Sequence, residues 1–262
     1  FTLSGLKRRG VLPESLINFV KATGVSKGNG VIEQSFFEHF VRDDLNQQSK
    51  RVMAVLQPLK VVITNFEGEE NVELKDYPQR QESTYRSYKF GKEIYIERSD
   101  FEIVPPAGYK RLFPGGEVRL MGAYIIKAVS YDLDENGNVS CVYAEYDKDT
   151  KSGTQGVRKV KGTIHWVNKN HARNIECRLV NNLLADKEEI DEENEDSESE
   201  DKVKQHAFNP NSLEIIDNAL IEDDIEFNFK DRYQFLRCGY FALDKDSTQD
   251  KLVFNRTITL RQ

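Results

Sequence analysis

Residues Gly108–Ala123 read GYKRLFPGGEVRLMGA, and the alternation within this stretch decides how the chain is read. In Glu117-Val118-Arg119-Leu120-Met121, polar-ended and aliphatic side chains alternate, the pattern of a half-buried strand. At a period of two, Val118 and Leu120 face one way while Glu117, Arg119 and Met121 face the other. A Pro114-Gly115-Gly116 turn precedes the strand, and Lys110 and Arg111 stand before the turn. An arginine on the outer face of a rigid strand beside a basic turn is suited to reading nucleotides. Taken alone the signal is weak, because most basic hairpins are solvated surface.

The same period of two recurs from Met53 onward. It predicts strands at 59–66, 93–97, 117–120, 123–128, 139–146, 162–167, 175–180, 233–236, 239–243 and 254–260. Before it the period is 3.6. Pro13 opens a helix that ends near Gly24, with Leu12, Leu16, Phe19 and Val20 on one face. A second helix is expected over 33–45, burying Phe36, Phe37, Phe40 and Val41, with Ser26 or Asn29 as its cap. Short strands between turn residues, without βαβ alternation, point to barrels or sandwiches, and the length suits two barrels better than one.

The chain has 262 residues and a formal net charge of -7. Its acidity is local: 186–201 carries eleven Asp or Glu against Lys187, which leaves the rest of the chain at +3. Ile190 is the one large apolar side chain in that run, so it reads as a surface loop unable to order itself. An overall acidic chain is therefore still compatible with a nucleic-acid partner. No run of about 18 apolar residues is present, so no helical span is expected. Cys141, Cys177 and Cys238 have no CxxC spacing and read as reduced structural thiols rather than metal ligands. Asp132–Gly137 resembles half a calcium loop, but position twelve is Tyr143, and Asn136-Gly137 reads as a hairpin turn. Trp166 reads as core, and His165 has no nucleophile beside it in sequence. No GxxxxGK[ST], GxGxxG or GxSxG motif occurs. Phe1 at the start and a strand-like run reaching Leu260 predict a piece cut from a longer protein.

Several stretches together carry a family resemblance: SGLKRRG at 4–10, RDDLN at 42–46, RVMAV at 51–55, YKRL at 109–112, EVRL at 117–120, KVKGTIHWV at 159–167 and FNRT at 254–257. They resemble the C-terminal part of the glutaminyl-tRNA synthetases, class I enzymes of the Glu/Gln group. The resemblance runs from end to end except for the acidic insert. It implies a mainly β fold: two antiparallel β-barrels of the ribosomal-protein-like anticodon-binding type, preceded by a small helical subdomain. The implied division is a helical subdomain at 1–50, a proximal barrel from 51–96 plus 207–262, a distal barrel at 97–180 and an acidic loop at 181–206.

The resemblance also implies the partner, tRNA(Gln), bound by a cytoplasmic monomer that engages neither DNA nor a membrane. ATP with Mg would serve the full-length ligase, whose ATP signatures would lie upstream of residue 1; this piece would hold no cofactor, carry no catalytic residue or metal ligand, and not aminoacylate alone. Lys110 and Arg111 match the pair at the third anticodon base. Arg51, Gln234 and Arg237 match residues enclosing the central base, with Pro78 beside them, and Asn46 matches a residue near the loop. Gln234 and Arg237, three apart, cannot share a face of a regular strand, so a bend is expected between them. Arg119 matches the first of two arginines at the first base. Met121 stands where the second would be, and Gln79 where the family has asparagine, so first-base reading should be relaxed. Two other readings share much of this pattern: the same region of an archaeal or eukaryotic-type glutamyl-tRNA synthetase, and a non-catalytic RNA or protein interaction module.

Overall fold

The computed structural model describes residues 2–24, 30–184 and 208–261. Three helices come first: α1 (Leu3–Arg9), α2 (Pro13–Thr23) and α3 (Gln34–Gln48). The Thr2 side chain accepts a hydrogen bond from the Gly5 N–H and so caps α1, while Pro13 opens α2 at a position whose N–H needs no partner. Gly10 ends α1 at φ 96°, where a Cβ would collide with Ala242, so glycine lets the helix end lie on the sheet below. Helix α3 starts after Glu33 without a side-chain cap, and both expected caps, Ser26 and Asn29, lie outside the described residues. Val41 and Leu45 are buried with Leu6, Leu12, Tyr240 and Ile258, whereas Phe36 is exposed and packs edge-on to Phe40. Among the described residues no helix is long and apolar enough to cross a membrane.

The remainder forms two seven-stranded sheets and one hairpin. The first sheet takes β1 (Lys50–Val52), β2 (Ala54–Val55), β12 (Ala172–Val180), β13 (Leu213–Glu222), β14 (Tyr233–Phe235), β15 (Gly239–Leu243) and β16 (Leu252–Ile258), in the order β1-β14-β15-β16-β12-β13-β2. The second takes β3 (Pro58–Ile63), β6 (Glu93–Glu97), β7 (Glu117–Leu120), β8 (Ile125–Leu133), β9 (Val139–Asp147), β10 (Thr163–Ile164) and β11 (Val167–Asn168), in the order β10-β7-β8-β9-β3-β6-β11. Strands β4 (Glu69–Lys75) and β5 (Tyr85–Gly91) pair with each other. In each sheet the two end strands are halves of one chain segment, 50–55 or 163–168, so each sheet wraps into a barrel. The chain is mainly β, with two barrels after a helical subdomain.

The barrels share one plan. A closing segment lies parallel to the first strand of a three-strand meander (β1 on β14, β10 on β7). The last meander strand lies parallel to a two-strand pair (β16 on β12, β9 on β3), and every other joint is antiparallel. The closing segment precedes its strands in the first barrel and follows them in the second, so the two are circular permutations of each other. This pairing differs from the expected division. Strands β3 and β6 join the barrel of β7–β11, because Val61, Ile63, Ile94 and Ile96 share one core with Val118 and Val142. Strand β12 joins the C-terminal strands, because Ile175 and Cys177 share the core of Phe235, Phe241 and Phe254. The acidic run, within the β12–β13 connection, lies outside the described residues.

Other expectations are met locally. The β8–β9 connection is a hairpin turn: the Asp134 carboxylate accepts the Asn136 and Asn138 N–H groups, and Gly137 takes φ 80°. The strand expected over 162–167 breaks into β10 and β11 at His165-Trp166. All three cysteines are free thiols.

The helical subdomain is latched to the first barrel by charge. Arg8 donates two hydrogen bonds to fully buried Asp244, at 2.8 and 3.0 Å, and a third to Asp246. Burial alone would raise the Asp244 pKa, but hydrogen bonds from Arg8, the Asp246 N–H and Asn255 hold it well below the usual carboxylate range. A depressed folded pKa stabilises above the unfolded value of about 3.9 and is lost as pH falls through the folded one. Asp244→Asn should therefore cost on the order of 2 kcal/mol at pH 7. It should also make the fall of the melting temperature below about pH 4 shallower. An acid limb as steep as that of the wild type in a pH series of thermal melts would contradict this role.

Candidate nucleic-acid interface

The basic stretch at 108–112 is held by the turn that follows β6. Leu112, fully buried, donates its N–H to the Asp100 carbonyl at 3.0 Å and accepts from Glu102 at 3.1 Å. Tyr109 Oη and Arg111 Nη1 both donate to the Ser99 carbonyl, at 3.1 and 2.9 Å. With Leu112 anchored, Lys110 stands exposed and Arg111 half-buried beside it. Gly162 backs this segment so closely that a Cβ there would strike the Lys110 carbonyl. The Gly162 carbonyl in turn accepts the Arg119 N–H at 3.0 Å, so this glycine sets Lys110 next to Arg119.

Arg237 sits where β14 has ended and the chain turns toward β15, which supplies the expected bend after Gln234. Its φ of 67° is the one positive value at a non-glycine among the described residues. The turn matches the β7–β8 turn bond for bond. Leu236 donates to Val52 as Met121 does to Ile164, and Cys238 donates to Phe235 as Ala123 does to Leu120. The counterpart of Arg237 there is Gly122, at φ 73°. Arg237 Nη1 and Nη2 donate to the two oxygens of fully buried Asp100, at 2.5 and 2.7 Å, and Arg111 Nε lies 3.2 Å from the same carboxylate.

Arg237 Nη1 also lies 3.3 Å from His165 Nδ1. A guanidinium only donates, so Nδ1 accepts and the imidazole proton sits on Nε2, facing Glu97 at 3.5 Å and the Cys238 sulfur at 3.7 Å. Burial would raise the Glu97 pKa, but His165 and the N–H groups of Leu56 and Gln57 hold it low. Burial and the nearby Glu97 push the Cys238 thiol well up, so it stays protonated. Glu97, His165 and Cys238 stand close enough together to hold a cation, yet these hydrogen bonds account for the cluster without one. A cleft of ≈ 310 Å³ opens between the barrels here, lined by Gln57, Ser99, Arg111, His165 and Arg237 among others.

A second group forms at the end of α3. Arg51 is buried at 4% exposure; Nη1 donates to the carbonyls of Asn46 and Ser49, at 2.9 and 2.8 Å, and Nη2 to the Asn46 side chain at 2.7 Å. It thus satisfies carbonyls that the helix end leaves open. The Arg51 N–H reaches the Asp76 carbonyl, which brings the β4–β5 connection alongside, with Pro78 and Gln79 exposed on it. Gln234 lies opposite Arg51 in the β1–β14 register.

Arg119 occupies on β7 the position that Gln234 occupies on β14. Its partners are the Thr150 and Arg158 carbonyls, at 2.8 and 3.2 Å, and the Ser152 hydroxyl. Burial and then the charge of Arg158 draw its pKa down. Met121 differs from expectation. Strand β7 stops at Leu120, and Met121 begins the turn as a partly buried side chain packed against the barrel core. Arg158, which pattern reading missed, stands nearby on Glu117 and Asp147. It carried no signal, lying in an irregular segment between strands. Asp100, the hub of the first group, was missed too: one acid after a strand has no periodic signature.

Most of the predicted residues thus follow one ribbon across both barrels: the Lys110 and Arg119 backbones meet at Gly162, Arg111 and Arg237 join through Asp100, and Gln234 lies opposite Arg51, which holds Asn46. Two family models, each described as the anti-codon binding domain of class I (E and Q) tRNA synthetases, match residues 49–147 and 163–244. The chain belongs to this family of anticodon-binding domains. Among its relatives are the glutamine–tRNA ligases of Clostridium perfringens and Pseudomonas aeruginosa, each 44% identical over 99% of this chain and 46% of their own length. That of Vibrio parahaemolyticus is also 44% identical, with the same coverage. The chain therefore spans about half the length of these curated relatives.

Gly162→Ala tests the ribbon's backing. The added methyl must displace the Lys110 backbone, so we predict a loss of about 1–3 kcal/mol in chemical denaturation. A change within 0.5 kcal/mol of the wild type, as is usual for an unconstrained surface site, would show that the close approach is not needed.

Proposed function

We propose that this chain is the anticodon-reading part of a glutamine–tRNA ligase and binds the anticodon loop of tRNA(Gln). The observation that carries the reading is the continuous ribbon of donors over both barrels, in a chain whose family binds anticodons. Lys110 and Arg111 serve the third base; Arg51, Gln234 and Arg237 serve the central base, with Pro78 beside it. Asn46 and Gln79 border the loop, and Arg119 serves the first base. Anticodon bases are single-stranded and can be splayed out to expose their Watson–Crick edges. A central uracil offers two carbonyl acceptors and one N–H donor, which suits Gln234 as acceptor and donor and Arg237 as donor only. A guanine presents acceptors that Lys110 and Arg111 can reach.

In the whole protein, glutamine would be attached using ATP with Mg by a catalytic part outside this chain. The 262 residues alone would bind without aminoacylating, as a cytoplasmic monomer. The relatives support glutamine as the amino acid, since each one cited is a glutamine–tRNA ligase.

Fluorescence anisotropy with anticodon stem-loops tests the reading. Affinity should fall with salt, at a slope of about -0.7 per phosphate neutralised. Arg237→Lys keeps a cation against Asp100 but loses the planar fork, so central-base discrimination should drop about tenfold. Discrimination equal to that of the wild type would remove Arg237 from the central base. With Met121 supplying no cationic donor, stem-loops bearing C or U at the first position should bind within about tenfold of each other. A larger preference would show that the first base is read strictly without a second arginine at 121.

A further inference from the structure

We infer that Asp100 is a specificity-determining positioning residue, whose buried carboxylate locks Arg111 and Arg237 together and couples the reading of two adjacent bases. The inference rests on the proposed anticodon reading and extends it to a residue that touches no base.

Three observations carry it. Asp100 is fully buried and presents one carboxylate to two guanidinium groups from different barrels: Oδ2 to Arg237 Nη1, and Oδ1 to both Arg237 Nη2 and Arg111 Nε. One carboxylate thus meets two guanidinium groups at the mouth of the inter-barrel cleft, which Glu97 also lines. Second, Arg237 holds a left-handed backbone where the matching turn has Gly122. The turn itself asks only for glycine; a long side chain persists in that conformation where its surroundings over-determine it, and Asp100 is its principal partner. Third, the donors divide cleanly. A guanidinium has five N–H groups. Arg237 spends Nη1 on Asp100 and His165 and one Nη2 hydrogen on Asp100, which leaves Nε–H and the second Nη2 hydrogen. Arg111 keeps Nε 3.2 Å from Asp100 as an ion pair and turns Nη1 to the Ser99 carbonyl and hydroxyl, which leaves its Nη2 pair. Each arginine is fixed by some donors while others stay available to a base. Because Oδ1 is shared, one guanidinium cannot shift without disturbing the other.

A plain structural clip between barrels would behave differently. Its loss would weaken stability, and affinity for every anticodon, by a common factor. The test is a panel of anticodon stem-loops, each changed at one of the three bases, bound to the full chain and to Asp100→Asn, with folding checked by circular dichroism. We expect discrimination at the central and third bases to fall together by about tenfold, while the first-base ratio, set at Arg119, stays unchanged. A uniform loss across the panel, or a change at one base only, overturns the inference. If Asp100→Asn does not fold, the cycle of Arg111→Lys, Arg237→Lys and the double variant decides. Each single change should lower discrimination at both bases, and the double should lose less than the product of the two. Single effects confined to their own base and multiplying independently overturn it. If the unaltered chain discriminates at no base, the anticodon reading itself has failed, an outcome distinct from the others.

Discussion

Each barrel closes on a strand that breaks in its middle, at Met53 in one and at His165-Trp166 in the other. One segment must pair with a parallel neighbour on one side and an antiparallel neighbour on the other, and no straight strand reaches both. A break frees backbone and side-chain donors inside the protein, where an unpaired one costs about 1–3 kcal/mol. The Met53 N–H is taken by Glu222, whose other contacts are to Arg86 on the β4–β5 hairpin. The Trp166 ring nitrogen donates to the Met121 carbonyl, and the Asn168 N–H to Tyr88 Oη. The second break also turns His165 out of the barrel toward Arg237. Closure and the polar seam between the barrels are therefore one solution to one constraint.

The permuted plan explains why the ribbon has the shape it does. Gln234 and Arg119 occupy the same position on the first meander strand of their barrels, each opposite the closing segment, where the register partners are Arg51 and Thr163. The turn that follows carries Arg237 in one barrel and Gly122 in the other. Two copies of one rim thus present different chemistry: a donor–acceptor amide with an arginine in the first, a lone arginine beside a glycine turn in the second. The barrel with the richer rim is the one assigned to the central base.

Much of this was legible in the sequence, and the failures have physical causes. The strands expected at 93–97, 117–120 and 239–243 stand where the pattern put them, the first two with a strict alternation and the third buried on both faces. Strands β4 and β5 escaped notice because polar and charged residues interrupt them, leaving only Val72 and Leu74, and Tyr88 and Phe90, as buried inner pairs. Strand β13 escaped because its first half is exposed, so LEIID shows no alternation. The break at His165-Trp166 was invisible because both faces there are buried and a kink leaves the letters unchanged. The domain division failed for a related reason: alternation says which side chains point inward, but not which barrel's interior they enter. Single residues of the site could be named from resemblance, whereas Asp100 and Arg158 required the folded chain to bring 237 to 100 and 158 to 119.

The ribbon's members differ in how firmly the protein holds them, and this orders what each can contribute. Arg51 has given three donors to the end of α3, and Arg237 three to Asp100 and His165, so their planes are fixed before any ligand arrives. A donor fixed in advance costs little further ordering on binding and tolerates little misfit, which is the basis of selectivity. Lys110 is exposed on a short segment, so a base contact from it would be ordered only on binding and would add less selectivity. Arg119 lies between these cases: two carbonyls and a hydroxyl orient it, none cancels its charge, and the partly buried Met121 nearby offers no further donor. On the proposed reading, its site keeps attraction and gives up geometric stringency. On the proposed reading, selectivity should be strongest where hydrogen bonds already fix a guanidinium, as at Arg51 and Arg237.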